Sequence, residues 1–349
     1  MKRPLALLLA LLGIHTACSR TNYENTDPDG FSDLLNRHNA VILDVRTPEE
    51  YAQGHIDGAL NINVSDDGFL TAANAQLPPQ ATIAVYCRSG KRSAHAARLL
   101  ADNGYSVVNL VGGIIAWTGN GLPTTTDTHE VDIFSGKSGK LLRFHALMHA
   151  SIRLVYDGKE IAIDPVRQLG DRRVDYSAIP KADYVIVTHE HHDHFDPEAI
   201  RAVCKADTRL ITNRRCADML GYGHVMANGD TTVIDDITIE AVPAYNTTEA
   251  HLQFHPKGRD NGFVMTIDGL RIYIAGDTED IPEMALLGDI DIAFLPCNQP
   301  YTMTTGQLLR AAGIIRPKVL FPYHYGQTDL ADIPRHAPQG IDVRIRHYE

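Results

Sequence analysis

The chain has 349 residues, 44% of them apolar and 21% charged, with a formal net charge of −11. That length and balance suit an ordinary folded chain of two domains. The acidic total, with no basic stripe to offset it, argues against a nucleic-acid partner, and five scattered cysteines do not make a disulfide framework.

The first predicted element is a targeting segment, to be set aside from the fold. Lys2 and Arg3 precede the apolar run 4–14, which is too short to span a bilayer as about 20 residues would. Ala17-Cys18-Ser19 is similar to a lipoprotein cleavage site that leaves Cys18 as the lipidated first residue, although His15 stands where Leu is usual. This reading covers 1–18 and places the protein in a bacterial cell envelope, touching the periplasmic face or outer membrane through a lipid anchor only. Secretion as a soluble periplasmic protein is the alternative. The polar residues 19–30 are expected to form a tether.

Short apolar strands then alternate with helical segments, which predicts an α/β domain with a parallel sheet. The strand 83–86 ends at Cys87-Arg88-Ser89-Gly90-Lys91-Arg92-Ser93, and a helical pattern follows from Ala94 to Leu100. A cysteine in a loop of inward amides at a helix N-terminus sits in positive potential, which favours its thiolate. Arg88, Lys91 and Arg92 add cationic charge around it. The flanks Val41-Ile-Leu-Asp44-Val45-Arg46, Glu49-Glu50-Tyr51, Gly54-His55-Ile56-Asp57-Gly58-Ala59, and Gly112-Gly113 with Trp117 make residues 31–123 resemble a rhodanese-like domain. The resemblance implies that Cys87 carries a persulfide taken from a sulfane-sulfur donor. Arg92 would close a Cys-x4-Arg ring, with Arg88, Ser89, Gly90 and Lys91 binding the loop's substrate. Related phosphatases use the wider Cys-x5-Arg cradle. Asp44 and Arg46 are expected to be structural.

The stretch 118–139, rich in Gly, Thr and Ser, is a linker candidate, placed at 124–140 between the domains. Beyond it, paired strand runs such as 231–244 and 262–275 suit a sandwich of β-sheets flanked by helices. The most informative stretch is His189-Glu190-His191-His192-Asp193-His194, immediately after the apolar run 184–187. Read as His-x-His-x-Asp-His, it can turn His189 and His191 towards one ion, and Asp193 with His194 towards a second. Imidazole and carboxylate suit zinc, iron or manganese. The helical metalloprotease motif His-Glu-x-x-His fails, because position 193 is Asp.

This motif resembles the metallo-β-lactamase superfamily, and the resemblance extends over 141–349 as an αββα sandwich. His149-Ala-Ser, Ile161-Ala-Ile-Asp164-Pro165, Gly276-Asp277-Thr278 and Phe321-Pro-Tyr-His324-Tyr-Gly326 carry it along with the motif. It implies His189 and His191 at a first metal, Asp193, His194 and His324 at a second, and Asp277 between them. The usual third histidine of the first site is replaced by Ala244-Tyr245-Asn246. His255 is the candidate to swing in, with His251 weaker. Should neither reach, a mononuclear centre follows. Tyr245 is expected to line the pocket as an acid or oxyanion donor, or to be a packed core residue. His149 is expected to orient substrate.

The expected activity is bipartite. A metal-activated water, on one or two Zn2+ ions with Fe or Mn as alternatives, would attack an ester, lactone, amide or phosphodiester in a small-molecule substrate, with Asp193 also catalytic. A Cys87 sulfurtransferase domain is joined to it. One alternative is an iron-dependent persulfide dioxygenase of sulfide detoxification, although such fusions usually place the metal domain first. A second is a binding module with a degenerate metal site. Cys204 and Cys216 could pair, but with Cys297 they are expected to be buried free thiols.

Overall fold

The computed structural model describes residues 22–37, 40–126 and 128–348, so the expected leader 1–18 and Cys18 lie outside the described residues. Among the described residues, no helix is long and apolar enough to cross a membrane.

The first domain runs β1 (Glu24–Thr26), α1 (Pro28–Asn36), β2 (Ala40–Asp44), α2 (Pro48–Ala52), β3 (Leu60–Asn61), α3 (Phe69–Gln76), β4 (Thr82–Tyr86), α4 (Lys91–Asp102), β5 (Ser106–Leu110) and α5 (Gly113–Gly119). Its strands form a parallel sheet in the order β1-β5-β4-β2-β3. Successive side chains of a strand point to opposite faces. Ile83 and Val85 accordingly pack with Val41, Leu43 and Leu100, while Ala84 and Tyr86 pack with Phe31, Leu110 and Trp117. Helices cover both faces, so these strands read as unbroken apolar runs.

Part of the expected tether 19–30 is corrected here. Glu24–Thr26 pairs with β5, and the Asp27 side chain caps α1 by accepting from the Gly30 amide at 2.9 Å. An edge strand and a helix cap are polar by nature, so their composition reads as tether.

The second domain continues with β6 (Val131–Ser135), β7 (Leu141–Met148), β8 (Ser151–Tyr156), β9 (Lys159–Ile163), β10 (Gln168–Leu169), β11 (Arg172–Arg173), β12 (Ala182–Val187), α6 (Pro197–Val203), β13 (Cys204–Thr212), α7 (Arg214–Leu220) and β14 (His224–Val225). It closes with β15 (Thr231–Ile234), β16 (Ile237–Ala244), β17 (Asp260–Ile267), β18 (Leu270–Ile274), β19 (Ile292–Pro296), α8 (Thr305–Ile315), β20 (Val319–Tyr323), α9 (Ile333–His336) and β21 (Asp342–Val343). Two seven-stranded sheets result, β14-β13-β12-β9-β8-β7-β6 and β15-β16-β17-β18-β19-β20-β21. Their inner faces share one core, in which Phe144, Phe294 and Phe321 meet, the last two stacked at 4.8 Å. In β12, Tyr184 and Ile186 face that core, whereas Val185 and Val187 face α6 and α7. Leu308, Ala311 and Ala312 of α8 cover the other sheet, which completes an αββα sandwich.

The expected linker 124–140 is also corrected. Thr125 exchanges two 2.8 Å backbone hydrogen bonds with His55, and β6 pairs with β7. Ile133 and Leu141 are buried within the first domain's own core cluster. Arg143 of β7 donates to the Ala40 carbonyl at 2.7 Å. Gly, Thr and Ser here serve turns and an edge strand, not a free tether.

Candidate functional site

The metal-type residues are gathered at one end of the sandwich, where strands of both sheets terminate. β12 hands over to Thr188, whose amide and hydroxyl both donate to Asp164, at 2.8 and 2.7 Å. The chain then folds back, the amides of His194 and Phe195 donating to the His191 carbonyl at 2.9 and 2.8 Å. Asp196 caps α6, with Pro197 in its first turn. From the other sheet, β18 delivers Asp277 through Gly276. A side chain at Gly276 would meet the Asn261 carbonyl at 2.9 Å, and its φ of +62° is the left-handed region that suits glycine.

Two quartets result. His189, His191, His255 and Asp277 form one, His149, Asp193, His194 and His324 the other, each with its ligand atoms within 4.8 Å of one another. Asp277 stands between them. Its Oδ2 is 3.3 Å from Nε2 of His255, 3.3 Å from Nε2 of His324 and 3.8 Å from Nε2 of His189, and its Oδ1 is 3.2 Å from Nε2 of His194. His255 thus reaches the position left open by Ala244-Tyr245-Asn246, whereas His251 bonds Glu279 at 3.1 Å and stays out of both quartets.

A cation fits this arrangement. Nε2 of His189, His194 and His324 and Oδ1 of Asp277 are buried without hydrogen-bond partners, a costly state unless something satisfies them. Three residues here adopt positive φ although none is glycine: His149 at 54°, Asp164 at 43° and His324 at 47°. Such strain collects at functional sites. Two of the remaining ring nitrogens are tied to carboxylates from behind. Nδ1 of His194 is 2.8 Å from Asp164, and Nδ1 of His255 is 2.9 Å from Asp260, the carboxylate–histidine arrangement that orients metal ligands.

Electrostatics agree. Burial pushes the Asp277 carboxyl up, but His324 and His194 outweigh it and hold it well below the usual range. Asp193 is likewise held low, burial being overcome by His149 and His324. Burial keeps His189 and His191 neutral. His324 is raised to about 9, since Asp277 and Asp193 outweigh its burial. An arriving cation would take the place of that proton.

Sequence reasoning missed the supporting carboxylates. Asp260 lies five residues past His255 without any motif to mark it. Glu279 is fully buried and accepts from the amides of Thr247 and Thr248 and the Thr247 hydroxyl, at 2.7–2.8 Å, fixing the loop that leads to His255. Tyr245, expected to line the pocket as acid or oxyanion donor, is corrected to its packed alternative. It is buried, with its hydroxyl committed to Glu283 at 2.8 Å and Lys257 at 3.1 Å.

The cysteine loop sits at the C-terminal edge of the first sheet. The Gly90 amide donates to the Cys87 sulfur at 3.2 Å. Burial raises the thiol, but the Ser93 hydroxyl and the amides of Ser93, Ser89 and Gly90 outweigh it, so its pKa falls below the ordinary value. Burial raises the other thiols, Cys216 and Cys297 to about 12. Cys204, Cys216 and Cys297 are all free. Gly113 (φ +60°) closes the loop from behind: the Ile114 amide donates to the Cys87 carbonyl at 2.8 Å, and a side chain at Gly113 would meet that oxygen at 2.3 Å. Arg88 and Lys91 are exposed at the mouth. Arg92 is bound bidentately by Glu50, both contacts 2.7 Å. Its cation is paired there, yet it still interacts electrostatically with the Cys87 thiolate.

The match to known proteins follows the same division. A beta-lactamase superfamily domain model matches residues 143–324, and a rhodanese-like domain model matches 27–120. The chain is similar to UPF0173 metal-dependent hydrolases, with 31% identity to that of Ligilactobacillus salivarius over 206 residues, covering 55% of this chain and 91% of the relative. Against the Nanoarchaeum equitans protein it is 33% identical over 156 residues, 42% of this chain and 71% of the other. A solved Parabacteroides distasonis protein, described as a candidate metal-dependent hydrolase, is 52% identical with a TM-score of 0.61, over 63% of this chain and all of its own. Family match, fold and donor set together make this chain a member of the metal-dependent hydrolases of the beta-lactamase superfamily, with a rhodanese-like domain preceding the metal domain.

Proposed function

We propose that the second domain hydrolyses an ester, lactone, amide or phosphodiester at a binuclear centre, and that the first is a Cys87 sulfurtransferase. The observation that carries the hydrolase reading is the convergence of two quartets on Asp277. His189, His191 and His255 would hold one ion, Asp193, His194 and His324 the other, with Asp277 shared. Zinc suits these donors, and iron or manganese would also fit. The bound metal supplies a water whose pKa is lowered towards 7. Asp193, whose side chain is 19% exposed, is the accessible carboxylate of the centre. With a metal bound, it would be placed to accept a hydrogen bond from that water and so orient it towards the electrophilic carbon or phosphorus. A persulfide dioxygenase would need a single iron, so the paired quartets favour hydrolysis.

The low thiol pKa and amide-lined loop support sulfur loading at Cys87. Lipid anchoring through Cys18 belongs to the same proposal and rests on the sequence of the leader. Chelation followed by add-back of zinc, manganese or iron tests the central claim. Hydrolysis of p-nitrophenyl esters, lactones or bis-p-nitrophenyl phosphate should vanish and return with metal. Iron-dependent oxygen uptake with glutathione persulfide, and no metal-dependent hydrolysis, would replace it with the dioxygenase.

A further inference from the structure

His149 was expected to orient substrate, yet the structure surrounds it with metal-type donors. It lies at the turn between β7 and β8, next to a register shift between Ala146 and Met148, and it is only 5% exposed. Its φ of 54° is unfavourable for a residue with a side chain. Two main-chain hydrogen bonds hold it there. Its amide donates to the Tyr348 carbonyl at 2.8 Å, and its carbonyl accepts from the His324 amide at 3.2 Å. His324 has the same unusual backbone, and the two imidazoles lie 3.8 Å apart, tilted by 45°.

We propose that His149 is a metal ligand of the second quartet, and that Tyr348 is the positioning residue that holds it in place. This rests on reading the quartets as metal sites. The spacing of atoms carries it. Nε2 of His149 is 3.3 Å from Oδ2 of Asp193, which is in turn 3.3 Å from Nε2 of His324. A charge-assisted hydrogen bond settles at about 2.7–2.9 Å. Two donors bound to one ion at about 2.1 Å, in tetrahedral directions, stand about 3.4 Å apart. The His149 contact is at the long end of a hydrogen bond and has the length of a coordination edge, which it shares with three other contacts of the centre at 3.2–3.3 Å. The second site would then take three imidazoles and the Asp193 carboxylate from the protein, besides the shared Asp277.

Tyr348 acts from behind. Its side chain is 1% exposed in the sandwich core, with its ring 6.4 Å from that of Tyr323, which directly precedes His324. The preceding residues are fastened too: Arg344 and Arg346 both bind Asp132, at 2.8 and 2.7 Å. Burial of the Tyr348 ring thus fixes the carbonyl that sets the His149 backbone.

The test is metal content and affinity in the full chain, read by elemental analysis and by Co2+ absorption titration. His149→Ala should lose one ion of two and keep the other. His149→Asp, which restores a ligand but not a hydrogen bond to Asp193, should recover the second ion in part. His149→Asn, which restores the hydrogen bond but is a poor ligand, should not. Tyr348→Ala should weaken the second ion by about tenfold and spare the first, in the manner of a lost supporting group. Two ions bound with wild-type affinity in His149→Ala, or full rescue by Asn and none by Asp, would overturn the ligand role. If His149→Ala unfolds, the Asp and Asn variants decide alone. A wild-type protein that binds no ion would instead remove the metal reading, and this proposal with it.

Discussion

Oδ2 of Asp260 lies 2.9 Å from Nδ1 of His255, and the other nitrogen of that ring lies 3.3 Å from Asp277. The carboxylate therefore decides which imidazole nitrogen faces the centre. Asp260→Asn should lower metal affinity by about 10–100-fold while leaving the fold intact. Competition with a chromophoric chelator measures this, and an affinity equal to wild type would remove Asp260 from the site.

Among the described residues, Cys87 is the thiol whose environment favours the thiolate, since burial raises Cys204, Cys216 and Cys297. Incubation with thiosulfate should add the mass of one sulfur atom. Cys87→Ser should abolish the gain, and Cys204→Ser or Cys297→Ser should not. Sulfur loading that persists in Cys87→Ser would refute the assignment.

The Arg92 pair holds the Glu50 carboxyl near 2, below its ordinary 4.5. A depressed acid stabilises the fold above its unfolded value and loses that contribution as pH falls through its folded value. The Glu50–Arg92 contribution should therefore be complete above about 4.5 and fade towards 2. Both side chains are about a third exposed, so the effect is modest, about 0.2–1 kcal/mol. Denaturation of wild type and Glu50→Gln, followed by the single tryptophan, Trp117, should differ at neutral pH and converge in strong acid. A difference that grows on acidification would contradict this.

Gly113 cannot accept a side chain without moving the cysteine loop, because the Cys87 carbonyl would stand 2.3 Å from the new carbon. Its φ of +60° adds strain. Gly113→Ala should cost at least about 1–2 kcal/mol and slow sulfur loading. Gly119→Ala, where nothing lies within 4 Å of the new carbon, is the control. Equal loading rates in the two variants would show that the close approach is unimportant.

The two sites should work separately. The second domain grips the first at Ala40, the start of β2, whereas Cys87 follows the end of β4, which runs parallel to β2 in the same register. Cys87→Ser should leave metal-dependent hydrolysis within about twofold of wild type, and a loss of tenfold or more would mean a shared substrate.

How much of this was legible beforehand differs by element. The cysteine loop and the His-x-His-x-Asp-His run are local, so ligand spacing and a strand-to-helix turn mark them directly. His255 was legible only as a candidate, because its reach depends on Glu279 anchoring Thr247 and Thr248 from another strand end. His149 joins the centre through a backbone hydrogen bond to Tyr348, which lies 199 positions further along, and local pattern carries no trace of such a bond. The two readings of Tyr245 stayed open for a similar reason. Its partners Lys257 and Glu283 are set by tertiary placement. Strand Glu24–Thr26 escaped notice because an edge strand needs few apolar residues, and Val131–Ser135 because it is short and set in a stretch rich in Gly, Thr and Ser.

Ile133 and Leu141 belong by sequence to the sandwich but by packing to the sheet that carries Cys87. Neither domain therefore owns a complete interior. A gene fragment encoding only the sandwich would leave those two side chains facing water, and the rhodanese-like unit alone would carry an open flank beside Val41 and Leu43. On heating, the two domains of this chain should therefore unfold together, where a flexible hinge would let them melt one after the other.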